Sequence, residues 1–308
     1  MLNKRLTPGL ALLVALASLA ACARREPEVV ERIVEQTVVV TREVVRIETV
    51  VVPATPTPDP SQDKVTLDLR LDADPLSIDP ALLADPASGD IVENLFLGLT
   101  RTDAQGNVQP EMASAWSVSP DGLTWTFTLR DDAAWVTYTP GSGVTALAPV
   151  TAQDVVYAVQ RTCDPRTGAE NAALDYIIAG CEELQRADLA SLGEDAVQAL
   201  IEALAVEALD DYTVQFTLDA PAGYFPALAS LASNRPLYQP AVEHFGAHWT
   251  EPGNIVSNGP YLLADWFHGD HVTLERNPLW YGWSQAAGNV ERGELAVLAD
   301  QAQALAMY

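Results

Sequence analysis

The chain has 308 residues, 48% hydrophobic and 19% charged, with a formal net charge of −25. That balance supports a folded core and excludes a disordered, tail-like protein. Lys4 and Lys64 are its only lysines, and no basic patch is interleaved with aromatics; an acidic surface repels phosphate backbones, so nucleic acid is excluded as a partner and the excess carboxylates read as a solvated surface.

The first 21 residues read as an export signal. Lys4 and Arg5 precede the apolar run Leu10 to Leu19, which ends in Ala20-Ala21-Cys22. The run is too short to span a bilayer and closes on small residues, as a cleavage site requires. A cysteine directly after such a site is the arrangement of bacterial lipoproteins. Cys22 is therefore expected to be acylated and to become the first residue of a mature, membrane-anchored protein outside the cytoplasm. The plainer alternative is an ordinary buried or unpaired thiol.

Residues 22–62 read as a spacer. Pro53-Ala54-Thr55-Pro56-Thr57-Pro58-Asp59-Pro60 favours an extended, semi-rigid segment. Upstream, Val30, Ile33, Thr37, Val40, Val44, Ile47 and Val51 step by three and four, which is a heptad seam. Valine's β preference argues equally for strand over Val29–Val52, so both conformations stay open.

From Lys64 the pattern becomes globular and mixed α/β. Val65, Leu67, Leu69 and Leu71 alternate with polar residues and predict a strand. Leu123, Trp125, Phe127 and Leu129 predict another after the turn Ser119-Pro120-Asp121-Gly122. Thr151 is a candidate N-cap for a helix over Asp154 to Arg161. Cys163 and Cys181 suggest a disulfide in an exported chain, two free buried thiols being the alternative. Residues 194–209 have helical composition, yet Val206 to Leu209, Asp210-Asp211 and the alternation Tyr212, Val214, Phe216, Leu218 predict a hairpin. Helices are expected at 222–232 and 240–248, and strands at 261–267 and 271–276 around Gly269-Asp270. The end, Gln301 to Tyr308, reads as part of a further helix.

No Gly-x-Ser-x-Gly elbow, phosphate-cradling loop or Gly-x-Gly-x-x-Gly occurs, and no carboxylate pair is singled out, so the chain does not read as an enzyme and no cofactor is implied. His244 and His248 lie four apart on an expected helix, with His268 and His271 following on a turn. That spacing can share a metal, but solvated surface histidines are the expected reading, with no metal site.

Seven stretches taken together carry a resemblance. They are Pro75-Leu76-Ser77-Ile78-Asp79-Pro80, Glu93 to Leu99, Pro110-Glu111-Met112-Ala113-Ser114-Ala115-Trp116, Ser119 to Trp135, Val150 to Tyr157, Pro252 to Tyr261 and Leu274-Glu275-Arg276-Asn277-Pro278. In this order the chain resembles the family 5 extracellular solute-binding proteins, the oligopeptide- and dipeptide-binding receptors of ABC importers. The tryptophans in these stretches read as buried anchors, and Gly259 as the residue that permits the backbone angles of an Asn258-Gly259-Pro260 turn.

The resemblance implies a periplasmic-binding-protein-like (class II) α/β fold with two lobes closing over a ligand. This chain would supply the first lobe, with a main subdomain of 64–96 plus 240–308 and an inserted subdomain of 97–239. It implies a peptide ligand, the permease subunits of an ABC importer as partners, and ligand contacts near Ala84, Asp85 and Pro86. Asn171 stands where peptide binders often carry a tyrosine, and Val136 to Pro149 replaces a shorter turn. Family members commonly continue for a second lobe, so a C-terminally truncated chain is expected. The competing functions are a nickel, haem or sugar receptor of the same fold, an exported hydrolase and a structural surface stalk.

Overall fold

The computed structural model describes residues 64–286, 288–300 and 305. The export signal, Cys22, the heptad or β segment, the proline tract and nearly all of 301–308 lie outside these residues.

Strand β1 (Val65–Leu71) forms where alternation predicts it. A 3-10 turn at Pro80–Leu82 leads into α1 (Pro86–Leu95), which starts on a capping Asp85 with proline in the first turn, where its missing N–H costs nothing. A short ribbon of β2 (Thr100–Thr102) and β3 (Val108–Pro110) follows. The hairpin β4 (Ala113–Val118) and β5 (Thr124–Leu129) turns at Gly122, whose φ of 77° suits glycine. Next come a ribbon of β6 (Ala134–Thr139) and β7 (Gly143–Pro149), then α2 (Ala152–Cys163). The Asp154 carboxylate accepts from the Thr151 amide at 2.8 Å, which fixes the start of α2 at the expected place.

Beyond α2 lie α3 (Cys181–Gln185) and α4 (Glu194–Glu202), followed by the hairpin β8 (Val206–Asp210) and β9 (Thr213–Thr217). Both readings of 194–209 thus hold in part, helix first and hairpin arm second. The helix expected at 222–232 is one turn, α5 (Phe225–Leu228), followed by a 3-10 turn at Ala232–Asn234. The helix expected at 240–248 is α6 (Gln239–Phe245) and then a separate 3-10 turn, Gly246–His248. Gly246, at φ 54°, breaks it. Last come β10 (Tyr261–Phe267), β11 (His271–Arg276) and β12 (Val290–Val297).

Two four-stranded sheets organise these elements. One runs β1-β12-β11-β10 and joins the two ends of the described chain, with β1 parallel to β12 and Leu69 opposite Leu295. The other runs β4-β5-β9-β8 and is antiparallel throughout. Their cores meet on α2. Ala158 faces a cluster with Ile78, Leu95, Phe96, Trp135, Trp249 and Val272, whereas Val155 and Val159 face one with Trp125, Phe127, Phe216 and Phe225. Trp135 and Trp249 are at most 2% exposed, as expected of anchors; burying each such side chain contributes roughly 1.5–3 kcal/mol.

The stretches that carry the resemblance are largely joints. Asn258 Oδ1 accepts from Leu97 N at 2.9 Å, and Asn277 Nδ2 donates to Gly259 O at 2.8 Å. Gly259 corrects the sequence expectation. It has no positive φ; instead a Cβ there would lie 2.5 Å from Leu95 C and Asn94 O. Glycine is required by the close approach of this loop to the end of α1, where Gly259 N donates to Leu95 O at 2.8 Å.

Candidate functional site

The start of α1 builds one wall of a crevice. Asp85 caps the helix: its carboxylate accepts from Ser88 N at 2.9 Å, from the Ser88 hydroxyl, and from Leu76 N at 3.2 Å. Burial pushes this carboxyl upward, but these donors outweigh it and hold it below the usual aspartate range, so it stays ionised. Ala84 and Pro86 flank it and are exposed.

The opposite wall is a 3-10 turn, Glu170–Asp175. Asn171 Nδ2 donates to Leu83 O at 2.6 Å, fastening this turn to the loop that precedes Asp85. The four residues named from the sequence as ligand contacts are therefore brought together, although Asn171 spends its amide N–H on the scaffold. Asp175 is 3% exposed and accepts from Asn234 Nδ2 at 3.0 Å, which draws in the Ala232–Asn234 turn as a third wall. The crevice between the walls has a volume near 380 Å³.

Two covalent or ionic supports stand behind it. Cys163 and Cys181 form the disulfide, both fully buried, and so tie together the ends of the segment that carries Asn171. Asp79 is held by the Arg161 guanidinium and by Trp249 Nε1 at 3.0 Å. A second buried pair, Glu111 with Arg235 at 3.0 Å, sits beside Gly98. Burial raises the Glu111 carboxyl, opposed first by the Arg235 charge. Burial likewise raises Asp154, against a hydrogen bond from Trp135 Nε1.

Sequence reasoning missed two parts of this picture. Glu170 and Ser233 line the crevice with no local motif to mark them; only the tertiary contacts of their turns place them there. A groove of about 420 Å³ also runs along the main sheet beside Leu67, Leu69, Leu274 and Leu295. The alternation of β1 pointed to an apolar face, yet Val65, Leu67 and Leu69 remain 39–43% exposed.

The histidines do not assemble a centre among the described residues. His244 and His248 sit on different elements and are exposed. His268 lies 3.4 Å from Asp74 and 3.7 Å from Glu251, and His271 meets Asp270 at 2.6 Å. Among the described residues no group of three or more His, Cys, Asp or Glu side chains is placed to hold a metal. The crevice lining contains no histidine, cysteine or lysine; it offers backbone carbonyls, an amide, a hydroxyl and carboxylates, a set suited to binding by hydrogen bonds and charge.

Comparison with known proteins agrees with this architecture. The family described as "Bacterial extracellular solute-binding proteins, family 5 Middle" matches residues 107–308. The periplasmic oligopeptide-binding protein OppA of Escherichia coli is 37% identical over 226 residues, covering 73% of this chain and 38% of its own. The solved substrate-binding domain of an oligopeptide ABC transporter from Bacillus anthracis is 27% identical and superposes with a TM-score of 0.69, over 80% of this chain and 44% of its own. Haemophilus influenzae OppA in complex with RPPGFSPFR is 29% identical, with a TM-score of 0.68 and the same coverage. The chain thus spans less than half the length of the relatives it matches. The α/β arrangement of sheets is that of the corresponding part of these binding proteins, and the chain belongs to the family 5 bacterial extracellular solute-binding proteins.

Proposed function

We propose that this chain is the ligand-capturing part of a peptide receptor that serves an ABC importer, held outside the cytoplasm by lipid on Cys22. The observation that carries the reading is the crevice where Ala84, Asp85, Pro86 and Asn171 converge. It lies in a chain whose relatives are named for oligopeptide binding. Exposed backbone at such a wall pairs with an extended peptide main chain, which gives binding that tolerates different side chains. In this reading residues 64–96 and 240–308 form the main subdomain and 97–239 the inserted one, the spacer at 22–62 sets the reach from the membrane, and the permease subunits of the importer are the partners. The chain carries ligand and performs no chemistry.

Titrating a mixed peptide library against the purified chain, with tryptophan fluorescence and melting temperature as readouts, tests the capture step. Saturable shifts are expected; a flat response across the library sinks the peptide assignment. Radiolabelled palmitate incorporated by the wild-type chain and lost in Cys22→Ala tests the anchor.

A further inference from the structure

Strand β1 is an edge of the main sheet. It pairs with β12 on one side, and among the described residues no strand lies on the other. Val65 N donates to Asn289 O and Leu71 O accepts from Leu298 N, so the odd-numbered residues turn their backbone groups toward β12. By strand alternation Thr66, Asp68 and Arg70 turn theirs outward, along the edge. Such an edge recruits a further strand unless something blocks it.

The sheet face beside this edge is apolar and open. Val65, Leu67 and Leu69 are 39–43% exposed. Leu67 and Leu69 line the groove of about 420 Å³, where Gly293 supplies no side chain to fill it. The other face of β1 carries Asp68 and Arg70, two positions apart and of opposite charge. Arg70 donates from Nε to Leu298 O at 2.6 Å and lies 2.7 Å from Asp72, which fixes its guanidinium while leaving the side chain 23% exposed.

A single charge on an edge strand repels a second copy of the same strand. An opposite pair spaced by two attracts one, in a particular antiparallel register. With Leu69 on a two-fold axis, Asp68 stands opposite Arg70 of the partner subunit, and Leu67 stands opposite Leu71 of the partner subunit. This register also sets the outward-turned residues against each other, as hydrogen-bonded pairs require. Slipping one strand by two residues in either direction sets Asp68 or Arg70 against its own copy, which is repulsive.

We propose that β1 is a homodimerisation edge, at which two copies of this chain pair β1 to β1, antiparallel about Leu69. The two four-stranded sheets then run on as one of eight strands. The pairing engages the outward backbone groups, covers the flanks of Leu67 and Leu69, and forms two Asp68–Arg70 pairs between subunits. Seven residues on each side make a small contact, so the affinity is modest, and anchoring both copies to one membrane raises it through effective concentration. The groove and the crevice share no lining residue, so the dimer does not depend on the identity of the ligand.

The test is sedimentation equilibrium of the full chain over a concentration series, with charge reversals. A monomer–dimer equilibrium is expected for the wild type. Asp68→Arg and Arg70→Asp each turn two attractions into two repulsions and should weaken the dimer about tenfold. The double reversal restores the complement and should recover most of that loss. A cysteine scan checks the register independently of these charges. Leu69→Cys, on the axis, should cross-link the dimer under mild oxidation, because facing residues lie within the Cα separation of about 4.4–6.8 Å that a disulfide accepts. Leu67→Cys, similarly exposed, is four residues from its own copy along the strand, about 13 Å, and should not. A chain that stays monomeric throughout overturns the proposal. So does a dimer indifferent to the reversals, or one that cross-links equally at both positions; either result would assign the association to another part of the chain, such as the heptad seam.

Discussion

Arg161 closes a fork on Asp79, with Nη1 on Oδ1 at 2.8 Å and Nη2 on Oδ2 at 2.5 Å, across 82 positions of sequence. Asp79 is 3% exposed and also accepts from Ala81 N and Trp249 Nε1, each at 3.0 Å. One carboxylate therefore ties the approach to α1, the last turn of α2 and the segment after α6. These are the elements that set the walls of the crevice, which gives the Ser77-Ile78-Asp79-Pro80 stretch a physical role.

A buried ion pair adds little net stability when intact, but removing one partner strands the other. Asp79→Ala leaves Arg161, Trp249 and Ala81 without their acceptor, and a loss of about 3–5 kcal/mol is expected by urea denaturation. Arg161→Met should lose less, because Trp249 and Ala81 still satisfy the carboxylate. Equal losses, or a loss below about 1 kcal/mol for Asp79→Ala, would show that the fork does not organise this region.

Three glycines separate close approach from conformational freedom. A Cβ on Gly98 would lie 2.1 Å from Arg235 Nη1, and one on Gly259 would lie 2.5 Å from Leu95 backbone; neither has a positive φ. Arg235 is 4% exposed and held by Glu111, so it cannot step aside cheaply. Gly98→Ala and Gly259→Ala should each cost about 1–3 kcal/mol. Gly89, inside α1 with nothing within 4 Å of its Cβ position, should gain about 0.5–1 kcal/mol as alanine. Melting curves of the three variants check this, and a destabilised Gly89→Ala would contradict it.

What the sequence made legible follows from local physics. Alternation located β1, β5 and β9, the turn Gly269-Asp270 located β10 and β11, and the Thr151 cap located α2, because each signal is written in neighbouring residues. The β6–β7 ribbon was passed over, although Pro140-Gly141-Ser142-Gly143 between β-branched runs is a turn signal that could have marked it. The reason for Gly259 was misread because its neighbour, Leu95, is far away in sequence. Glu170 and Ser233 stayed hidden on the same ground: their place in the crevice depends on hydrogen bonds from Asn171 and Asn234 to distant partners. The pairing of Cys163 with Cys181 is legible because beyond Cys22 the sequence has only these two cysteines.

That disulfide closes 18 residues of sequence, and in the loop-entropy account such a link contributes about 3 kcal/mol. The double variant Cys163→Ser, Cys181→Ser should therefore unfold at lower urea by about that amount. Because Asn171 and Asp175 lie between the cysteines, hydrogen exchange should also quicken over 164–180 ahead of the β10–β11 hairpin. Uniform quickening across both regions would mean that the link stabilises the whole fold without favouring the crevice wall.

Asp175 supplies the last prediction. Burial pushes its carboxyl up to about 6 from an ordinary value of 3.8, opposed by the single hydrogen bond from Asn234. Between these values the folded chain holds a proton that the unfolded chain has released. Stability from this group is therefore greatest below pH 4, falls as pH rises from about 4 to about 6, and stays lower above that. Asp175→Asn carries no charge and keeps a carbonyl to accept from Asn234. It should be more stable than the wild type at pH 7.5, by at most roughly 3 kcal/mol for a shift of this size, with the advantage vanishing near pH 4. Glu111 and Asp154, also raised by burial, slope in the same direction in both proteins, so the difference between variant and wild type isolates Asp175. A difference that is the same at pH 4 and pH 7.5 would mean that the residue is held by something other than its charge.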